Sequence, residues 1–179
     1  MTAHRLLAAD PLLVLQIVAL VGGAVILVAA ALHDVAARTI PNWAPAGLAL
    51  FGLVLRFESG ELLTGLAVGL AVFLVATFCW TRGWMGGGDV KLLAGTAIFM
   101  PPAHVTDTLL AITLAGGVVG LIYMAWRAVL RRRGMVPGPR PHQLLARVLR
   151  AERWRLLRGC PLPYASAIAV GTLFMLASR

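Results

Sequence analysis

Six apolar stretches, separated by short polar segments, alternate along the chain. They are Pro11–Leu32, Ala44–Phe57, Leu62–Trp80, Leu92–Met100, Leu109–Val129 and Leu162–Ala177. A helix needs about 20 apolar residues to cross about 30 Å of hydrocarbon. The first, third and fifth stretches approach or exceed that length, whereas the other three must be tilted or shielded by neighbouring helices to span. The pattern predicts an all-α, polytopic membrane protein with six transmembrane helices.

Composition places the chain in the same class. Hydrophobic residues make up 60% of the sequence and charged residues 13%, which does not fit a soluble domain of 179 residues. The first apolar stretch is longer than the roughly 7–15-residue core of a secretory signal peptide, so we interpret it as a membrane span. We expect one membrane-embedded domain over residues 1–179.

Lysine and arginine are distributed unevenly between the polar segments. Ten of the 16 lie between Arg127 and Arg158. With six spans and the N-terminus outside, three more cations share that side: Arg38, Arg82 and Lys91. Those left on the opposite side are Arg5, Arg56 and Arg179. Because Lys and Arg are retained on the cytoplasmic side during insertion, we expect an external N-terminus and a cytoplasmic basic loop at about residues 131–159.

The basic loop accounts for the net charge of +9. Because the excess lies between two apolar spans, we expect it to bind anionic membrane lipid and predict no nucleic-acid partner. Its apolar and basic residues alternate with helical periodicity, which predicts an amphipathic helix over His142–Arg158 lying in the membrane interface. Glu152 and Arg155 interrupt the apolar side of that helix.

Two aspartates, Asp34 and Asp89, stand where a long apolar stretch meets a polar segment. The chain has only 7 acidic residues, and a carboxylate at the end of a membrane span is costly unless it has a use. The predicted topology places both on the cytoplasmic side. Paired carboxylates are the groups used in aspartyl proteolysis, where one acid and one base share a water. If close together, they titrate as a coupled pair, one protonated and one ionised near neutral pH.

Three consecutive glycines, Gly86-Gly87-Gly88, precede Asp89. Such a run has a high backbone entropy cost and no side chain to bury, so it indicates a need for free backbone. It would let the chain enter the next helix sharply and let an extended substrate lie close to the main chain. Asp89 would then occupy the first turn of that helix, where the dipole favours negative charge.

Each aspartate lies in a short motif: Asp34-x-x-x-Arg38-x-Ile40-Pro41-Asn42 and Gly86-Gly87-Gly88-Asp89-Val90-Lys91-Leu92. Together the two motifs resemble those of the type IV prepilin peptidases, which are membrane aspartyl proteases with a Gly-x-Gly-Asp element. Leu162-Pro163-Tyr164-Ala165 is similar to the segment that opens the last span in that family. The resemblance implies that Asp34 and Asp89 form the catalytic pair. It assigns motif or positioning roles to Arg38, Pro41, Asn42, Gly86, Gly88 and Lys91.

The same resemblance implies the substrate and location. The enzyme would remove the short basic leader from prepilin or pseudopilin precursors at the cytoplasmic face of the bacterial inner membrane. Larger relatives carry two Cys-x-x-Cys pairs that bind zinc and are tied to N-methylation. This chain has only Cys79 and Cys160, so it resembles the short, peptidase-only branch of tight-adherence (Flp-type) pili. We expect no metal or other cofactor and no methyltransferase activity.

Two alternatives stay open. Presenilin-like and signal-peptide-peptidase-like proteases share the Gly-x-Gly-Asp element and a segment similar to Cys160-Pro161-Leu162-Pro163, but they pair it with a Tyr-Asp rather than His33-Asp34. A small ion-coupled transporter would also use membrane acids, although such sites usually lie near the bilayer midplane. The sequence offers no obvious specificity pocket and leaves the oligomeric state open.

Overall fold

The structure, a computed structural model, describes residues 10–132, 143–158 and 162–178. The described residues are helical and contain no strand, which confirms the all-α prediction. Their elements are α1 (Pro11–Ala37), α2 (Trp43–Glu58), α3 (Leu62–Thr81), α4 (Gly87–Phe99), a 3-10 turn (Pro102–His104), α5 (Val105–Arg132), α6 (Leu144–Arg158) and α7 (Tyr164–Ala177).

Two helix boundaries determine where the aspartates lie. The first helix runs to Ala37, past the end of its apolar stretch, and therefore carries Asp34 in its last turn. The fourth begins at Gly87, so Asp89 lies in its first turn, as predicted. The predicted amphipathic helix is present as α6, although His142 lies outside the described residues. Its position in the membrane interface stays a prediction.

Three helices of the described residues are long and apolar enough to cross a membrane: α1, α3 and the continuous segment Pro102–Arg132 that contains α5. The helices α2, α4 and α7 have 16, 13 and 14 residues. At about 1.5 Å per residue, α4 is about 20 Å long, shorter than the hydrocarbon core. Among the described residues, the chain is therefore a membrane protein with three candidate spans and one shorter apolar helix, α7.

The chain divides into two compact units, and the first comprises Met1–Ala29 and Pro41–Thr106. In it, α2 and α4 approach closely at two glycines. A Cβ built on Gly52 would lie 2.6 Å from the Phe99 Cα, and one on Gly95 would lie 2.8 Å from the Pro45 carbonyl oxygen. Backbone contact of this kind is how small residues stabilise helix pairs in lipid. It fixes α4, and hence Asp89, relative to the start of α2.

The second unit comprises Ala30–Ile40 and Asp107–Arg179. Here α5 and α7 meet at Gly171, where an added Cβ would lie 2.5 Å from the backbone nitrogen of Ile112. Ile112 and Ile168 are buried at this contact. The last turn of α1, with Asp34, belongs to this unit, so α7 and α6 supply the surroundings of that carboxylate.

Candidate active site

Asp34 is held by the N-terminus of α7. Its side chain is buried, and Oδ2 accepts a 3.2 Å hydrogen bond from the backbone N–H of Ala165. The first N–H groups of a helix have no partner within the helix, and a carboxylate commonly satisfies one of them. Pro163, the residue before α7, is fully buried and fixes the point where the helix begins. The Leu162-Pro163-Tyr164-Ala165 segment thus orients Asp34.

Arg38 ends α1 in an unusual backbone conformation. Its N–H still donates to the Asp34 carbonyl at 2.8 Å, but its φ is +57°. Left-handed residues after a helix are usually glycine, because a Cβ there costs roughly 1–2 kcal/mol. The guanidinium pairs with Glu152 of α6, with an N–O distance of 2.5 Å. That ion pair holds the strained residue in place.

Glu152 is the centre of a buried polar cluster and is 2% exposed. Besides Arg38, it accepts hydrogen bonds from Arg155, at 2.6 Å, and from the Tyr123 hydroxyl, at 3.1 Å. Arg155 also donates to the carbonyls of Val35 and Ala36, at 2.9 and 3.0 Å. Glu152 and Arg155 therefore form a main contact of α6 in this unit rather than an interruption of its apolar side. Neither residue was predicted from the sequence to belong to the site.

Asp89 lies at the N-terminus of α4 and is partly buried. Its Oδ2 accepts a 3.3 Å hydrogen bond from the N–H of Gly86. The φ of Gly86 is −76°, which any residue can adopt, so glycine is favoured there for a different reason. A Cβ on Gly86 would lie 2.9 Å from that same carboxylate oxygen. Glycine at this position lets the carboxylate fold back over the backbone, and Gly88 follows within the first helical turn.

Lys91 and Asn42 join the two sequence motifs. The Lys91 ammonium donates to the Asn42 side-chain oxygen at 3.0 Å, which connects the first turn of α4 with the start of α2. The Asn42 side chain makes no capping bond to its own helix, and the Pro41 carbonyl accepts the Ala44 N–H at 3.1 Å. The structure thus brings together two of the predicted positioning residues, which are 49 positions apart.

A cavity of about 310 Å³ opens beside the residues that flank Asp89. It is lined by Phe73, Thr77, Trp80, Gly87, Val90 and Lys91. Its walls are mainly apolar, and the buried Thr77 hydroxyl has no hydrogen-bond partner. This cavity could not be predicted from the sequence, because its residues come from two helices. Within the described residues, no group of three or more His, Cys, Asp and Glu side chains lies close enough to hold a metal ion.

Both aspartate motifs lie in a segment that matches a known protein family. The model of the type IV leader peptidase family matches residues 21–124, which is more than half of the chain. The chain belongs to this family. Neither a curated protein nor a solved structure shows significant similarity to it. The match favours the leader-peptidase interpretation over the presenilin-like and transporter alternatives.

The matched range separates two groups of residues. Both aspartates and all six predicted positioning residues lie within it. Glu152, Arg155 and the Ala165 N–H lie beyond it, yet they surround the end of α1 that carries Asp34. The signal that could have revealed Glu152 is its isolation, because it is the one acid in a segment of ten arginines.

Proposed function

We propose that this leader peptidase removes the short basic leader from type IV or Flp prepilin-like precursors, with Asp34 and Asp89 activating one water. The observation that carries the proposal is the family match, which spans both aspartate motifs. One carboxylate accepts a proton from the water, and the other donates a proton to the scissile amide as the water adds. The carboxylates divide these roles because like charges that are close together do not both ionise.

The environment of each aspartate supports such a role. The N–H of Ala165 orients the Asp34 carboxylate, and that of Gly86 orients Asp89. A carboxylate has about four acceptor positions, so it can accept from a backbone N–H and from a water at the same time. Preorganised groups of this kind lower the barrier because little rearrangement is needed during the reaction.

The remaining motif residues position the backbone around these carboxylates. Arg38 ends α1, Pro41 and Asn42 start α2, and Lys91 ties α4 to Asn42. The two glycines, Gly86 and Gly88, provide an open approach to Asp89. In this proposal the mainly apolar cavity at Trp80 and Val90 accommodates an apolar substrate side chain near the cleaved bond, which fits a precursor cut just ahead of its apolar helix.

Loss of the Lys91–Asn42 hydrogen bond is expected to slow cleavage moderately. Asn42→Ala and Lys91→Met should each lower the rate about 3–10-fold, since one such bond contributes about 0.5–1.5 kcal/mol. The double variant should be no slower than either single variant, because both changes remove the same contact. Both expectations are tested by measuring the rate of leader cleavage by the three variants in membranes. Multiplicative losses would show that the two residues act separately.

We propose further that the chain spans the bacterial inner membrane six times, with an external N-terminus and the active site facing the cytoplasm. The distribution of arginines supports this topology. A reporter fused within residues 131–140 should therefore behave as cytoplasmic and one fused after Glu58 as periplasmic. Enzymatic reporters active on only one side of the membrane distinguish the two locations. A periplasmic signal from the basic loop would rule out this topology.

Anionic lipid is the proposed partner of the exposed side of α6. Trp154 is 44% exposed, and the Arg158 guanidinium stacks over its ring at 4.1 Å from the centroid. Aromatic and basic side chains on one exposed helix face are typical of helices that lie at a lipid headgroup surface. The acidic residue of α6 is turned inward to Arg38, which leaves this exposed side basic.

Co-expression tests the proposed activity. The chain and an epitope-tagged Flp-type prepilin are produced in bacteria that lack other leader peptidases. Immunoblotting and N-terminal sequencing should show loss of the leader after a glycine only when the chain is present. A precursor that keeps its leader, with the enzyme detected in the membrane, would contradict the proposal.

A further inference from the structure

We propose that Glu152 and Arg155 of α6 are positioning residues for the Asp34 carboxylate, so that the helix within the basic loop is part of the catalytic apparatus. This inference rests on the proposed function of Asp34. No motif of the family match includes these residues, because the match ends at residue 124. These residues connect α6 to the end of α1.

Arg155 binds the end of α1 directly. Its guanidinium donates to the carbonyls of Val35 and Ala36, the two residues that follow Asp34. The last carbonyls of a helix lack partners within the helix, and an arginine that supplies donors stabilises that end. With these contacts in place, the last turn of α1 is held on one side by α6. The Ala165 N–H holds the Asp34 carboxylate itself.

Glu152 fixes the two arginines that act on this turn. One carboxylate oxygen accepts from Arg155 and the other from Arg38, with the Tyr123 hydroxyl as a third donor. A buried acid that makes three such contacts is held in one orientation. Arg38, in its left-handed conformation, and Arg155 are therefore aligned by the same carboxylate.

Charge balance links this cluster to Asp34. Two acids, Asp34 and Glu152, and two arginines, Arg38 and Arg155, lie at this end of the second unit. Removing the Glu152 charge would leave both guanidiniums without their buried partner, which is strongly unfavourable. Without that carboxylate, both guanidiniums would shift toward Asp34 or toward solvent. Either movement would displace the carboxylate from the orientation that the reaction requires, and displacements of about 1 Å can cost 10²-fold in rate.

Two arginines of α6 provide a matched comparison. Arg155 belongs to the cluster, whereas Arg153 is exposed on another side of the same helix. Steady-state cleavage of a Flp-type prepilin by purified enzyme in liposomes is measured for wild type, Glu152→Gln, Arg155→Gln and Arg153→Gln. We expect Glu152→Gln and Arg155→Gln to lower kcat about 10–100-fold with KM changed less than about 3-fold. Arg153→Gln should match wild type.

A double variant separates positioning from a general loss of structure. Arg38→Gln combined with Glu152→Gln should be no slower than Glu152→Gln alone, since both changes break one contact. Wild-type kcat in Glu152→Gln, an effect on KM alone, or an equal loss in Arg153→Gln would overturn the inference. If the Glu152→Gln and Arg155→Gln proteins do not accumulate in the membrane, the Tyr123→Phe variant tests the inference instead. It removes one hydrogen bond to Glu152 and should lower kcat about 3–10-fold, and an unchanged kcat would overturn the inference.

Failure of this inference is distinguishable from failure of the proposed function. If Asp34→Asn is inactive while Glu152→Gln and Arg155→Gln cleave like wild type, only the role of α6 is wrong. If wild type itself leaves the prepilin intact, the proposed function is wrong, and this inference falls with it.

Discussion

Asparagine in place of Asp34 or Asp89 is expected to abolish leader cleavage while the protein still inserts into the membrane. The change preserves side-chain size and one oxygen acceptor for the Ala165 or Gly86 N–H, but it removes the group that carries the proton. General acid–base catalysis contributes roughly 10²–10⁴-fold, so each variant should lose at least that much activity. The double variant should be no worse, because members of one catalytic unit are strongly non-additive.

Asp107→Asn provides the matched control for this prediction. Asp107 lies in the first turn of α5, just as Asp89 lies in the first turn of α4, and its motif has no counterpart in the leader-peptidase resemblance. It should keep wild-type cleavage. Gel-shift assays of the precursor in cells, with immunoblots for membrane-bound enzyme, measure all four variants. Retained cleavage in either catalytic variant would eliminate the aspartyl mechanism proposed here.

The second large effect is expected on stability, at the contact between α5 and α7. Alanine at Gly171 would place its Cβ 2.5 Å from the Ile112 backbone nitrogen, and backbone cannot move aside as a side-chain tip can. The helices must separate, and overpacking of this kind typically costs about 1–3 kcal/mol. Because α7 also carries the Ala165 N–H that binds Asp34, cleavage should fall as well.

Gly117→Ala in α5 is the corresponding control. No atom lies within 4 Å of a Cβ built on Gly117, and alanine is favoured over glycine in a helix interior by up to about 1 kcal/mol. Thermal unfolding in detergent should therefore show a lower Tm for Gly171→Ala and an equal or higher Tm for Gly117→Ala. Equal Tm values for the two variants would contradict the packing of α7 against α5.

Local sequence signals predicted the parts of the candidate site that depend on neighbouring residues. Three glycines before an aspartate indicated a helix that begins sharply, and α4 begins at Gly87 with Asp89 in its first turn. Helical periodicity in the basic loop predicted an amphipathic helix there, and α6 occupies Leu144–Arg158. Such features follow from backbone freedom and helical periodicity, which are readable along a single segment.

The same local signals could not predict contacts between residues that are far apart in the sequence. Nothing in the sequence pairs Arg38 with Glu152, 114 positions away. Periodicity assigns a charged residue to the solvent side of an amphipathic helix, so Glu152 and Arg155 counted as interruptions of α6. A buried acid is stable only with its partners in place, and those partners come from α1, α5 and α6 itself. Only the folded chain identifies them.

The most direct test of the account uses purified components. The enzyme in liposomes is incubated with a Flp-type prepilin, and intact-mass spectrometry follows the precursor for wild type, Asp34→Asn and Asp89→Asn. The account predicts that wild type yields one product that has lost its leader and carries no added methyl group. Both variants should return the precursor at full mass. An intact precursor with wild type, or a processed product with either variant, would contradict the central claim that these two aspartates cleave the leader.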